Sequence, residues 1–301
     1  MNLEEITRKA DVLTEALPYV RRFRNSVFVV KYGGAFMDDP NPDIRARVAR
    51  DIAFLAAVGI NVVVVHGGGK AISRAMAKSG LEPEFKNGMR VTDGKTVKIV
   101  EDVLNNEVNA EICKMLSDQG CAAVSVRGND VFKCKKHFST DSEGNILDIG
   151  YVGEVTSFDS SKILALLAAG KTPVISPIAI GEADAHPYNT NADVAASAAA
   201  GALKARRLVF LCDVPGLMRD PKNRASLIPH LKVAEVPALK ASGVIGGGMI
   251  PKVDSGVRAI ENGVHRIHFI DGYMPHSLLL EIFTDQGIGT EIVGEKADIK
   301  K

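Results

Sequence analysis

Residues 26–78 read SVFVVKYGGAFMDDPNPDIRARVARDIAFLAAVGINVVVVHGGGKAISRAMAK, and this stretch repeats one pattern twice. A short run rich in β-branched residues (Ser26–Lys31, then Ile60–Val65) ends in glycines and is followed by a segment of helical periodicity (Asp43–Ala57, then Ala71–Lys78). Outward from it the alternation continues. Strand-like runs fall at Ala122–Val126, Pro173–Ser176, Arg207–Leu211 and His265–Ile270, and helical stretches at Thr96–Ser117, Ser161–Ala169, Ala192–Leu203 and Lys252–Asn262. Strands alternating with helices predict an α/β fold, a three-layer sandwich with helices on both faces of a mainly parallel central sheet. Between Asn129 and Val155 the rhythm breaks. Asp141, Ser142, Gly144 and Asn145 separate two β-like segments there, which predicts a hairpin.

An extra helix precedes this core. Ile6, Ala10, Leu13, Leu17 and Val20 form an apolar stripe over residues 3–24, with Pro18 placed to kink it. The expected organisation is an interaction helix (1–25), a lobe binding the smaller substrate (26–205) and a nucleotide lobe with a C-terminal regulatory segment (206–301).

Composition excludes several functions. Lys plus Arg number 37 against 36 for Asp plus Glu, a net charge of +1 without the basic excess of a nucleic-acid binder. The four cysteines, at 113, 121, 134 and 212, form no C-x-x-C pair, so neither a zinc site nor a disulfide framework is expected. No apolar run reaches membrane-spanning length, and the charged N-terminus lacks a signal-peptide core; a cytoplasmic location is the expectation.

The chemistry is carried by three glycine turns. Lys31-Tyr32-Gly33-Gly34 and His66-Gly67-Gly68-Gly69 each end a strand, and Gly246-Gly247-Gly248 delivers Lys252 near a helix start. Such turns expose backbone N–H groups to oxyanions. Neither the Walker A pattern nor G-x-G-x-x-G occurs. Each turn could equally be only a tight turn, and Lys252 alone only a solvated first-turn residue. Phosphoryl transfer to a carboxylate, however, brings two anions together. A unit-charge pair at 4 Å repels by roughly 4 kcal/mol at an effective dielectric near 20, so fixed positive charge supplies much of the catalysis. Lys31 and Lys252 could approach the phosphoryl group from two sides, with Asp193 between them. Asp193 could otherwise merely complement a helix dipole behind the Asn191 cap.

Six segments in order resemble the amino acid kinase family, and within it the acetylglutamate kinases: Lys31–Gly34, His66–Gly69, Asn87–Asp93 (NGMRVTD), Asn189–Asp193 (NTNAD), Asp213–Gly216 (DVPG) and Gly247–Lys252 (GGMIPK). The resemblance implies transfer of the ATP γ-phosphoryl group to the side-chain carboxylate of N-acetyl-L-glutamate, in arginine biosynthesis. It implies catalytic roles for Lys31, Lys252 and Asp193, and substrate contacts from Gly68, Gly69, Arg90, Asn189 and Asn191. It also implies a nucleotide site at Gly33, Gly34, Asp213, Val214, Gly216, Leu217, Met218, Gly247, Gly248 and Met249. Mg²⁺ is expected to ride on the phosphates, with no metal site of the protein's own.

The stretch 276–290 (HSLLLEIFTDQGIGT) resembles the signature of arginine-inhibited, hexameric members. This implies an L-arginine site at Tyr19, His268, Glu281 and Gly287, and a hexamer built from dimers interlaced through the N-terminal helix. Lys70-Ala71 and Cys212 depart from the family's usual Pro-Gln and Thr. The rival readings are a same-fold kinase for a related acyl or carrier-linked amino acid, a non-catalytic arginine sensor and, more distantly, a nicotinamide-dependent dehydrogenase.

Overall fold

The structure, a computed structural model, describes residues 2–141 and 143–295; Ser142, and the side chains of Glu5, Ile6 and Lys9, lie outside the described residues. The strands are β1 (Val27–Tyr32), β2 (Asn61–His66), β3 (Phe85–Lys86), β4 (Met89–Arg90), β5 (Ala123–Val126), β6 (Phe132–Thr140), β7 (Ile146–Phe158), β8 (Thr172–Ile175), β9 (Ile178–Gly181), β10 (Pro187–Thr190), β11 (Arg207–Cys212), β12 (His230–Lys232), β13 (Arg266–Asp271) and β14 (Thr290–Val293). The helices are α1 (Leu3–Phe23), α2 (Pro42–Ala57), α3 (Gly69–Lys78), α4 (Thr96–Asp102), α5 (Asn109–Asp118), α6 (Ser161–Ala168), α7 (Ala192–Ala202), α8 (Val236–Ala241), α9 (Met249–Glu261) and α10 (Ser277–Ile282).

Eight strands make the central sheet in the order β12-β14-β13-β11-β1-β2-β8-β5. Every pairing is parallel except β13 with β14. Because side chains alternate across a strand, consecutive residues feed two cores. Phe28, Val30, Val62, Val64, Val209 and Leu211 face α2, α3, α5 and α10. Val29, Val63, Val65, Leu208 and Phe210 face α6, α7 and α9. Lys31 has the parity of Val29 and therefore lies on the α7–α9 side, at the C-terminal end of its strand. Sheet edges of this kind are where open α/β folds bind ligands.

The sequence and the structure part in four places. The predicted hairpin forms as β6 and β7, but β9 and β10 close it into a four-stranded barrel. Those two strands are four residues each, β9 following β8 after only two residues, and runs so short leave no period to detect. Second, β12, β14, α8 and α10 are too short for periodicity to reveal. Third, the predicted helix 96–117 contains a π-helical turn at Val103–Val108. Fourth, α9 starts at Met249, which puts Lys252 inside the first turn rather than at the start. The helix α1 is a single element through Pro18, with Asn2 accepting from the Glu4 N–H at its start.

Phe210 and Phe269 stack at 5.0 Å between ring centroids on adjacent strands, both fully buried. Phe210→Ala should therefore lower the unfolding free energy by about 3–5 kcal/mol, read from equilibrium denaturant unfolding; a loss under about 1 kcal/mol would show that the sheet is not anchored there.

Candidate active site

The chain leaves β10 at Thr190, and Asn191 caps α7 by accepting the N–H groups of Asp193 and Val194 at 2.7 and 3.3 Å. This aims the Asp193 side chain back toward the end of β1. Lys31 Nζ lies 3.0 Å from Asp193 Oδ1, as an ion pair rather than an aligned hydrogen bond. From α9, Lys252 Nζ donates to Oδ2 at 2.7 Å. One carboxylate thus holds two ammonium groups, each on its own oxygen. Burial alone would push the Asp193 carboxyl up, but the two lysines outweigh it and hold it below the usual carboxylate range. Burial would likewise lower Lys252, and Asp193 instead raises it.

Glycine is required around this trio. A Cβ on Gly33 would sit 2.7 Å from Lys31 Nζ. Gly34 has φ 138°, and its Cβ would meet Asp213 Oδ1 at 2.5 Å. That Asp213 oxygen accepts the Ala35 N–H at 2.6 Å, tying the turn after β1 to the turn after β11.

Beside the trio opens a cavity of ≈ 340 Å³, near the small end of the roughly 300–1,000 Å³ of ligand pockets. Its walls are the Gly67–Gly69 turn, Arg90, Asn189 and Asn191 to Val194 (without Asp193 itself). All the residues assigned to the smaller substrate from sequence therefore meet at one cavity. Gly68 is packed so closely that a Cβ would lie 2.5 Å from Leu104 Cδ2. Arg90 is buried, stacks on Phe85 at 4.7 Å and donates from Nη2 to Gly69 O and Ser73 Oγ, both at 2.9 Å. With Nη1 on Met76 Sδ at 3.3 Å, three of its five donors are in use. The Asn189 amide contacts Thr92 Oγ1 at 3.4 Å.

Sequence reasoning missed three ionisable wall residues. His137 and Glu154 come from the barrel strands β6 and β7, and Arg258 from α9, 4.0 Å from Glu154. None belongs to a recognisable motif in sequence, and only the barrel closure brings the first two to the cavity.

The residues expected to bind nucleotide divide. Gly247 (φ 52°) and Gly248 lead into α9, while Val214 and Gly216 lie in the turn after β11. Leu217, in contrast, is a core residue, and its N–H is bonded to Thr290 Oγ1 at 2.8 Å. Met218 forms a bridge with Leu227. Burial pushes the Cys212 thiol up to about 11, so that departure is an inert packing group near neutral pH.

The four residues assigned to arginine lie around the segment after α10. Glu281 is buried, with Oε1 2.7 Å from His268 Nδ1 and Oε2 accepting the N–H groups of Ile288 and Gly289 at 2.7 and 3.0 Å. Tyr19 donates to Asp285 and packs edge-on against Phe283, while Gly287 takes φ 65°. The Glu281 carboxylate thus ties α10 both to His268 on β13 and to the backbone of the loop that follows the helix.

Asp193→Asn removes the buried charge that the buried Lys31 and half-buried Lys252 ammonium groups share, and should cost about 3 kcal/mol. Because the folded pKa lies below the unfolded one (about 3.9), this stabilisation is present above that value and is lost as pH falls through the folded pKa. Thermal unfolding should show a wide gap between wild type and variant near neutrality that narrows in acid; a gap constant down to strong acid would contradict the pairing.

A family model described as the amino acid kinase family matches residues 26–271. The acetylglutamate kinase of Akkermansia muciniphila is 42% identical over 294 residues, covering 98% of each chain. Among solved structures, N-acetylglutamate synthase from Neisseria gonorrhoeae, complexed with coenzyme A and N-acetyl-glutamate, superposes with a TM-score of 0.82 at 27% identity over 96% of this chain. This chain spans only 64% of that one. A second structure of that synthase, complexed with coenzyme A and L-arginine, gives 0.76 at 26% identity, covering 94% of this chain and 65% of that one. With the lysine–aspartate–lysine trio and the glycine-walled cavity on one sheet edge, and with relatives this similar along the whole chain, the protein belongs to the amino acid kinase family and, within it, to the acetylglutamate kinases.

Proposed function

We propose that this chain transfers the γ-phosphoryl group of ATP to the side-chain carboxylate of N-acetyl-L-glutamate, giving the acyl phosphate and ADP. The observation that carries this reading is Asp193 holding Lys31 and Lys252 beside a cavity lined by Arg90, Asn189 and the neighbours of Asp193 on α7.

In this mechanism the acyl amino acid occupies the cavity, with its α-carboxylate on Arg90. A two-bond grip there requires Arg90 to release one of its bonds to Gly69 O or Ser73. Asn189 holds the amide end, and Asn191 acts through the α7 cap. The N–H groups of Gly68 and Gly69, at the start of α3, face oxygens near the reaction centre. The nucleotide lies over Gly33, Gly34, Asp213 to Met218 and Gly247 to Met249. Magnesium carried on its phosphates would neutralise part of their charge. The chain itself offers no group of three His, Cys, Asp or Glu able to hold a metal among the described residues.

As the side-chain carboxylate attacks, charge spreads over the phosphoryl oxygens. The two ammonium groups then face charge that grows in the transition state, which is where fixed cations lower a barrier. Asp193 takes no proton, since the lysines hold it ionised; its role is to keep both ammonium groups in place. The lobe boundary near residue 205 fits this division of labour, although the central sheet runs on across it through the β1–β11 pairing.

Regulation by L-arginine and a hexameric assembly form the finer part of the proposal. Leu3, Val12, Leu13 and Leu17 leave apolar surface exposed on α1, while Tyr19 and Phe23 anchor its C-terminal end. That exposed face suits docking against another protomer, and Tyr19 links it to the Glu281 loop. The arginine complex of the related synthase supports an effector of this kind.

Selective, ATP- and magnesium-dependent turnover of N-acetyl-L-glutamate over N-acetyl-L-aspartate and L-glutamate is the expected result, and no turnover by folded protein that still binds arginine would favour the sensor reading. Lys252→Ala should lower turnover by roughly a hundredfold; a loss below about threefold would remove it from the reaction. Deleting residues 1–24 should abolish the hexamer and weaken arginine inhibition, and a truncated protein keeping both would overturn the regulatory assignment.

A further inference from the structure

Two fully buried polar side chains play no part in the phosphoryl-transfer mechanism above. They are His66, at the end of β2, and Asn109, at the start of α5. Asn109 Nδ2 lies 2.9 Å from Val174 O on β8 and 3.2 Å from His66 Nε2. A backbone carbonyl only accepts, so the Asn109 nitrogen must face it. The second amide hydrogen then points at Nε2, which must be the unprotonated ring nitrogen. The imidazole proton is thereby placed on Nδ1, which lies 2.7 Å from Gly67 O and donates to it. Burial holds the ring neutral, with its pKa lowered to about 4.

The Gly67 backbone is thus held at both ends. Its N–H donates to Tyr32 O at 2.8 Å, one residue after Lys31, and its carbonyl is held by His66. Among the described residues every peptide is trans, and a trans peptide directs its C=O and N–H to opposite sides. A Gly67 carbonyl turned inward to His66 therefore turns the Gly68 N–H outward, to the cavity. The π-helical turn Val103–Val108 contributes to the same arrangement. Val108 packs against Gly68, where a Cβ would meet Val108 Cγ2 at 3.3 Å, and the next residue, Asn109, reaches His66.

We infer that Asn109 and His66 form a buried positioning relay that fixes the Gly67–Gly68 peptide so that the Gly68 N–H is aimed at the reacting oxygens. Both are positioning residues, acting through the glycine turn, and the inference rests on the kinase reading above for what that N–H meets. The relay also joins three neighbouring strands, β8, β2 and β1, so the N–H direction is set by the sheet rather than by the loop.

Two measurements decide it. In ¹⁵N-histidine-labelled wild-type protein, with the His66 signals among the seven histidines assigned by their loss in His66→Asn, the ring should be the neutral Nδ1–H tautomer near pH 7; an Nε2–H tautomer or an imidazolium overturns the relay. In steady-state kinetics, Asn109→Leu and His66→Leu should lose about ten- to a hundredfold in kcat, with the KM for ATP changed less than about threefold. His66→Asn, whose amide N–H sits where Nδ1–H does, should recover most of that loss. Folded Leu variants with kcat within about twofold of wild type, or a His66→Asn variant no better than His66→Leu, would overturn it. Absence of wild-type turnover on N-acetyl-L-glutamate would instead sink the functional reading, while the tautomer measurement would still decide the relay.

Discussion

Two ammonium groups sharing one buried carboxylate are the constraint on which the rest of this structure depends. Lys31 and Lys252 repel each other, and neither belongs in an apolar interior. Asp193 makes their proximity tolerable, and in doing so it fixes where β1, α7 and α9 meet. Arrangements of this kind are weak sources of stability, because desolvation offsets the Coulomb gain. Their value lies in placement. Two cations are held at one point before any phosphate arrives, so little reorganisation remains to be done during the reaction.

The glycine turns follow from that constraint. Gly33 has no side chain because the Lys31 ammonium occupies the space where one would be. Gly68 has none because Leu104 and Val108 press on it from the π-helical turn. Asp213 holds the first turn by a side-chain hydrogen bond, and His66 holds the second. These two turns at the sheet edge are thus each stiffened by a side chain at a strand end, exposed Asp213 for the first and buried His66 for the second, which is how a glycine-rich segment can present its N–H groups in one direction.

Much of this was legible in the sequence. The alternation of β-branched runs and helical segments specified a parallel sheet with two covered faces, because parity along each run feeds two separate cores. The lysines, Asp193 and the three glycine turns were visible as residue types that phosphoryl transfer requires. Other features were not legible, for physical reasons. The barrel depends on β9 and β10, whose four-residue lengths leave no period to detect. His137, Glu154 and Arg258 reach the cavity only through tertiary closure. Asn109 sits inside what reads as an unbroken helix, and the π-helical turn that precedes it carries no compositional mark. The engaged state of Glu281, bonded to His268 on β13 and to the backbone of Ile288 and Gly289, is likewise a property of the folded chain alone.

The central claim is that Lys31 and Lys252, held by Asp193, act on charge that develops only in the transition state. The most direct test is calorimetric binding of ADP with magnesium and aluminium fluoride, a planar anionic mimic of the moving phosphoryl group, in the presence of N-acetyl-L-glutamate. Wild type and Lys31→Met would be compared, with ATP binding measured alongside. The account predicts that the variant loses affinity for the mimic by about a hundredfold or more while ATP affinity changes little. Equal losses for both ligands would contradict it, assigning Lys31 to ground-state binding alone.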